Sequence, residues 1–269
     1  MLAISAHDRS VVQRVLTIAG SDPTGAAGAQ ADLKTFASNG VDGMAVLTLL
    51  TAQTDAGVSS VKFLDATEVS AQLEAALSLS PAAIKIGAVG HADVVRAVAK
   101  SLAEYRGPIV YDSVLAPTRG VPFSDDAAVS VIASKLLPQV TVFTPNAIEA
   151  MRFGSRAVDG EVSAEEAARE LLARVGHGRR ADGARIDGAV VLKGGHWGAG
   201  DDVVDFVATD GGVARYGWPR VSEKRGTGCA LSSAIAARMA QGDDVQMAYR
   251  AAREWLADAM GCAGTRLRW

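Results

Sequence analysis

Apolar positions along the chain fall into two alternating rhythms. Short β-branched runs end in Gly, Asp or Pro, and Ala-rich stretches with helical spacing follow them. Residues 15–19 predict a first buried strand, and the Gly-rich turn 20–28 leads into a helix through Asp32, Leu33 and Phe36. Residues 44–50 predict a second strand, 58–64 an accessory strand over the site, and 67–79 an amphipathic helix. Residues 84–86, 109–111, 140–143 and 190–192 predict further buried strands. Helices are expected between them at 92–105, 125–137 and 163–175, the last opened by a capping box of Ser163 with Glu166 three residues on. Asp210-Gly211-Gly212 separates two alternating runs, 203–208 and 213–218, the mark of an antiparallel hairpin. Helices at about 228–241 and 244–260 finish the pattern, and the polar stretch 176–188 reads as a loop.

Strand-helix alternation of this kind implies a three-layer α-β-α fold, with a largely parallel central sheet and helices on both faces. Composition agrees: 49% of the residues are apolar but only 5% aromatic, which suits helix-over-sheet packing better than an all-β sandwich. A net charge of −3 argues against a nucleic-acid binder. No apolar run reaches the roughly 20 residues of a membrane span. Residues 1–14 lack the apolar stretch of a signal peptide and are expected to form a flexible extension, with 15–269 as one domain of a cytoplasmic protein. Cys229 and Cys262 are too few for a disulfide framework, and spacing alone does not say whether they pair.

In an open α/β sheet, ligands bind beyond the carboxyl ends of the strands. The residues there are Ser21-Asp22, Gln53-Thr54, Gly87, Asp112, Asn146 with Glu149, and Lys193-Gly194-Gly195. Each alone is weak, because every strand must stop in something polar. Together they describe one rim of carboxylates and a lysine, suited to a phosphate-bearing ligand with a metal. Gly226-Thr227-Gly228-Cys229 opens a helix; it is either an anion site of backbone amides or simply a Gly-rich helix start. Cys229 in that first turn is either a thiol whose pKa the helix dipole lowers or a small buried residue. The chain has no P-loop, no G-x-S-x-G elbow, no C-x-x-C and no H-E-x-x-H. Of the four histidines only His196 lies beside the expected rim.

The segment 19–35, AGSDPTGAAGAQADLKT, resembles the opening of hydroxymethylpyrimidine/phosphomethylpyrimidine kinases, thiamin-pathway members of the ribokinase-like superfamily. Ala52-Gln53, Lys85-Ile86-Gly87, Thr144-Pro145-Asn146 with Glu149, Leu192-Lys193-Gly194-Gly195-His196 and Gly226-Thr227-Gly228-Cys229 follow in the family's order. The resemblance implies ATP-dependent phosphorylation of 4-amino-5-hydroxymethyl-2-methylpyrimidine, with its monophosphate as a second acceptor, in thiamin biosynthesis or salvage. It also implies that Gly20, Asp32 and Gln53 hold the pyrimidine. Gly226, Thr227 and Gly228 would form the anion hole, Cys229 would be the base and Lys193 would neutralise phosphate charge. Asn146, Lys193, Thr227 and Gly228 would contact the nucleotide, while Glu149 and Asp112 would organise Mg²⁺. A homodimer is the expected assembly. Few rings are available for stacking, so hydrogen bonds and aliphatic walls must hold the pyrimidine.

The chain departs from the family pattern at several points. Glu223-Lys224-Arg225 replaces an Asn-Thr-His run, Asp112-Ser113-Val114-Leu115 an Asp-Pro-Val-Met run, and Ala88 a Met. A family lysine appears as Thr118 or Arg119, and Thr265 to Trp269 ends the chain in place of a Gly/His-rich tail. Arg225 is expected to restore positive charge near the phosphates. Two other readings stay open: a pyridoxal or pyridoxine kinase, and a non-catalytic pyrimidine-binding regulatory protein.

Overall fold

The computed structural model describes residues 12–117, 119–180, 182–196, 201–221, 224–261 and 266–269. Thr118, Glu223, Cys262 and residues 1–11 of the expected extension lie outside these, as does the side chain of His196.

Six parallel strands form the middle of the sheet: β1 (Arg14–Ser21), β2 (Asp42–Thr54), β4 (Ala83–Ile86), β5 (Ile109–Tyr111), β6 (Val142–Phe143) and β9 (Ala189–Leu192). Antiparallel strands extend both ends, with β3 (Gly57–Phe63) on β2, and β10 (Asp202–Thr209) and β11 (Gly212–Pro219) on β9. The order is β11-β10-β9-β6-β5-β4-β1-β2-β3.

Side chains alternate across the strands, and the two sets build two cores. Leu16, Ile18, Ile84, Ile86, Tyr111, Phe143 and Leu192 face a layer made by α2 (Ala66–Leu77), α3 (Ala92–Ser101), α4 (Asp126–Val131), α5 (Ala147–Arg152) and α6 (Glu161–Leu172). Val15, Ala83, Val110, Val142, Val191 and Val207 face α1 (Gly28–Ser38), α7 (Thr227–Ala240) and α8 (Val245–Met260). Burying each of the Val, Leu, Ile and Phe side chains among these contributes roughly 1.5–3 kcal/mol, which lets strands of only two to four residues hold their places. Among the described residues no helix is long and apolar enough to cross a membrane.

Several helix boundaries differ from the sequence pattern. Helix α6 starts at Glu161, so Ser163 sits three residues inside rather than at the cap. Its hydroxyl accepts hydrogen bonds from the Asp159 and Gly160 amides (3.0 and 3.1 Å), and Glu166 pairs with Arg156 instead of completing a box. Helix α3 stops at Ser101, four residues short of the expected end. Helix α4 runs on as a wider turn at Ile132–Leu136 and a tight one at Leu137–Gln139, where Pro138 has no amide to continue the ladder. Helix α5 is unanticipated. The 176–188 loop also carries a two-residue hairpin, β7 (Gly178–Arg179) with β8 (Arg185–Ile186).

Candidate active site

The segments after the carboxyl ends of β1, β5 and β9 converge on the first turn of α7. Gly226 caps that helix in the left-handed region (φ 79°), which favours glycine, and a Cβ there would collide with the Ala26 carbonyl oxygen. The helix start is therefore pressed against the β1–α1 turn. Asp22, almost wholly buried, braces that turn: it accepts from the Thr24 amide (2.9 Å), the Thr24 hydroxyl (2.8 Å) and the Ala27 amide (3.0 Å).

Lys193 and Asp112 meet the helix from the other side. Lys193 Nζ donates to Asp112 Oδ1 at 2.6 Å, and a Cβ on Gly228 would lie 3.3 Å from that ammonium and 3.7 Å from Asp112 Oδ2. The sequence-predicted Gly228, Lys193 and Asp112, from three distant segments, are thus in contact range. Asn146 caps α5 by accepting from the Glu149 amide, and the Glu149 carboxylate accepts from the Asn146 amide, both at 2.9 Å. Asn146 also bridges to Lys193, whose amide donates to Pro145 O at 2.9 Å.

The charges of this cluster are interdependent. Burial raises Asp112, but Lys193 and Lys85 outweigh it, aided by hydrogen bonds from Lys193 and the Cys229 thiol, and hold the carboxylate below its ordinary range. Burial lowers Lys193, but Asp112 and Glu149 more than compensate, so the ammonium is firmly charged. Glu149 is pushed up to about 7, by burial first and by Asp112 as well, against the pull of Lys193.

Cys229 overturns the expectation of a lowered thiol pKa. Cys229 is half-buried, and loss of surrounding water pushes its thiol up to about 12; Lys85 opposes this, while Asp112 and Asp32 add to it. The helix start supplies a favourable dipole, but two neighbouring carboxylates and the loss of water win. The thiol of the free protein therefore keeps its proton.

Asp32 also departs from its expected direct contact with a pyrimidine. It is fully buried between the sheet and the α1/α7 layer. Lys85 Nζ lies 3.0 and 2.9 Å from its two oxygens, Thr17 Oγ1 donates to Oδ2 at 2.6 Å, and Ser233 Oγ donates to Oδ1 at 2.8 Å. Its acceptors are occupied, so it braces the floor of the site. The signal was legible as a lysine between isoleucines in a buried strand, because such a charge requires a partner.

Gly20, the last but one residue of β1, has the Leu49 side chain 2.5 Å from where a Cβ would stand. Gln53 is half-buried at a bulge of β2, its Oε1 accepting from Thr51 Oγ1 at 3.2 Å. An apolar wall of Leu49, Val58, Ala88 and Phe123, joined by Val61, Phe63 and Val114, stands beside them. Arg225, next to Gly226, is held by two turns: it donates to Asp55 Oδ1 (2.7 Å) and Thr54 O (3.1 Å) and lies 3.5 Å from Asp22 Oδ2. Arg266 reaches the same Asp55 at 3.5 Å.

Residues 22–267 match the family model described as phosphomethylpyrimidine kinase. This chain belongs to the phosphomethylpyrimidine kinase family. It is 38% identical to the hydroxymethylpyrimidine/phosphomethylpyrimidine kinase of Escherichia coli over 93% of its length and 91% of that protein's. It is 40% identical to the thiamine biosynthesis bifunctional protein ThiED of Geobacter sulfurreducens, spanning about half of that longer protein (49%). Among solved structures, the phosphomethylpyrimidine kinase of Clostridium difficile superposes with a TM-score of 0.78 at 29% identity, covering 92% of this chain and 99% of that one. The pyridoxal kinase of Staphylococcus aureus in complex with ADP gives 0.79 at 27% identity, covering 93% and 88%. These relatives share the ribokinase-like fold expected from the sequence. The family is one of kinases, which sets the enzyme reading above that of a binding protein.

Proposed function

We propose that this chain transfers the γ-phosphoryl group of ATP to the hydroxymethyl oxygen of 4-amino-5-hydroxymethyl-2-methylpyrimidine, and then to the monophosphate, within thiamin biosynthesis. The observation that carries the reading is the convergence of Gly228, Lys193 and Asp112 at the start of α7. A migrating phosphoryl group needs positioning and charge stabilisation above all. Amides of Gly226, Thr227 and Gly228 at a helix N-terminus, with a firmly charged lysine beside them, supply both.

Cys229 takes the hydroxymethyl proton through its thiolate form, which is the minor one at neutral pH, and the thiol so formed donates to the Asp112 carboxylate beside it. Gln53 offers donor and acceptor to the ring, next to Gly20 and the apolar wall. Asp32 supports this floor from beneath.

Mg²⁺ fits Asp112 and Glu149. Among the described residues no three His, Cys, Asp or Glu cluster for a metal, and Mg²⁺ asks for no more than one or two carboxylates when phosphates and water complete its shell. A buried acid held near neutrality beside a carboxylate is also a place where added positive charge is favourable. The ion supplies charge neutralisation on the nucleotide phosphates. Asn146 and Lys193 adjoin the nucleotide in this reading.

Residues 15–269 act as one cytoplasmic kinase domain, assembled as a homodimer; the family resemblance supports this, and sedimentation of the purified chain tests the assembly. A pyridoxal kinase is the second reading, favoured by the likeness to the S. aureus pyridoxal kinase, which reaches a TM-score of 0.80 for its complex with pyridoxal. Coupled ADP detection with the hydroxymethylpyrimidine, its monophosphate and pyridoxal separates the two. The first two substrates should show the higher kcat/KM; a preference for pyridoxal would overturn the proposal.

A further inference from the structure

Asp205 is a carboxylate in the middle of β10, almost wholly buried, and the phosphate-site geometry above makes no use of it. Its Oδ1 accepts the Gly194 amide at 2.7 Å. Its Oδ2 accepts the Tyr249 hydroxyl at 2.8 Å and lies 3.1 Å from Arg253 Nε. Tyr249 in turn accepts from Trp218 Nε1 at 3.0 Å. A buried acid is costly unless it is paired, and this one has gathered partners from the turn after β9 and from α8.

We infer that Asp205 is a positioning residue for the nucleotide phosphates, acting by clamping the Gly194 amide and so fixing the direction of Lys193. The inference rests on the kinase reading of the site. Lys193 is fixed at both ends: its amide donates to Pro145 O and its ammonium to Asp112, as given above. The next peptide is the remaining freedom of the turn. A Cβ on Gly194 would collide with the Val204 carbonyl oxygen, so the turn lies directly on β10. Asp205 then holds its amide, and a charged acceptor makes the stronger kind of hydrogen bond. Trp218, Tyr249 and Asp205 thus connect the β10–β11 hairpin and α8 to the phosphate end of the site, although neither hairpin nor helix reaches it.

Calorimetry with Mg-ADP, together with steady-state KM values for the pyrimidine, tests this. Asp205→Ala should weaken ADP binding and raise the ATP KM about tenfold or more, with the pyrimidine KM changed less than about twofold. Asp205→Asn keeps an acceptor for Gly194 and should recover much of the affinity. Tyr249→Phe should weaken ADP about two- to fivefold, by loosening the carboxylate without touching the turn. Folded Asp205→Ala with wild-type ADP affinity would overturn the inference, as would an equal rise in both KM values. If Asp205→Ala does not fold, unchanged ADP affinity in Tyr249→Phe overturns it. Failure of the wild-type chain itself to bind ADP would overturn the kinase reading and this inference with it.

Discussion

Cys229 combines two demands that pull in opposite directions. It must lie against the Gly-rich helix start, where it can reach a hydroxyl bound in front of Gly228, and there the loss of water and the neighbouring carboxylates raise its pKa to about 12. Since kcat/KM reports the free enzyme's ionisations, it should climb with pH from 7 to 9.5 without levelling; a plateau below pH 8 would remove Cys229 as the sole base. Cys229→Ala should lower kcat about 10²- to 10⁴-fold with little change in the pyrimidine KM, measured by coupled ADP release. The position of Cys229 in a first turn was legible in the sequence. The rise in its pKa was not, because Asp112 and Asp32 come to it from segments 117 and 197 residues away. Asp205 escaped notice for the same reason: an isolated acid in a strand names no partner.

Among the elements, the start of α7 and the β2–β3 hairpin are the ones whose placement decides the site. Gly226→Ala would force the helix start off the Ala26 carbonyl, and loss of the aligned amides should lower kcat about 10²- to 10³-fold while thermal unfolding shifts only modestly. Arg225, at that helix start, fastens the hairpin tip through Asp55 and lies 3.5 Å from Asp22 of the β1–α1 turn. Arg225→Ala should therefore raise the pyrimidine KM, through Gln53 on the same hairpin, more than the ATP KM; the reverse pattern would return Arg225 to the phosphates. The hydrogen bond from Arg225 holds the Asp55 carboxyl below its usual value of 3.8. The contribution of that pair is thus present above the unfolded value and is lost as pH falls through the lower folded one. The difference in Tm between Asp55→Asn and the parent chain should be seen at pH 6 and low salt, and should shrink toward pH 3 or on adding salt. Helix starts were the least legible features at this scale. Asn146 and Glu149 were read as metal-organising or strand-ending residues, although N-x-x-E is also the capping pattern that starts α5.

The whole molecule is held across its layers by the Lys85–Asp32 pair. Lys85 comes from the sheet, Asp32 from α1, and Ser233 fastens α7 to the same carboxylate. Lys85→Met should cost about 3–5 kcal/mol in urea unfolding, because an unpaired buried carboxylate remains, and Lys85→Met with Asp32→Leu should cost less than the single change. A double variant as unstable as the single one would mean that the pair contributes through packing alone. The strand-helix rhythm and both faces of the sheet were legible because the apolar period alone sets them. Strand order and the convergence at α7 were not, since they depend on contacts between distant segments.

Placement of β1 inside the sheet, under α7, has a consequence for synthesis of the chain. The first strands and α1 leave the ribosome some 190 residues before the helix that covers them. Until residues 227–260 arrive, Val15, Phe36, Ala83 and Val110 form a bare apolar face, and the Lys85–Asp32 pair stands open to water. Such a face is a site for chaperone holding or for aggregation. Final assembly is a late, long-range docking step, so folding of this chain should be slow for its size. The anion hole is completed by that same docking, and no shorter nascent chain can bind phosphate there.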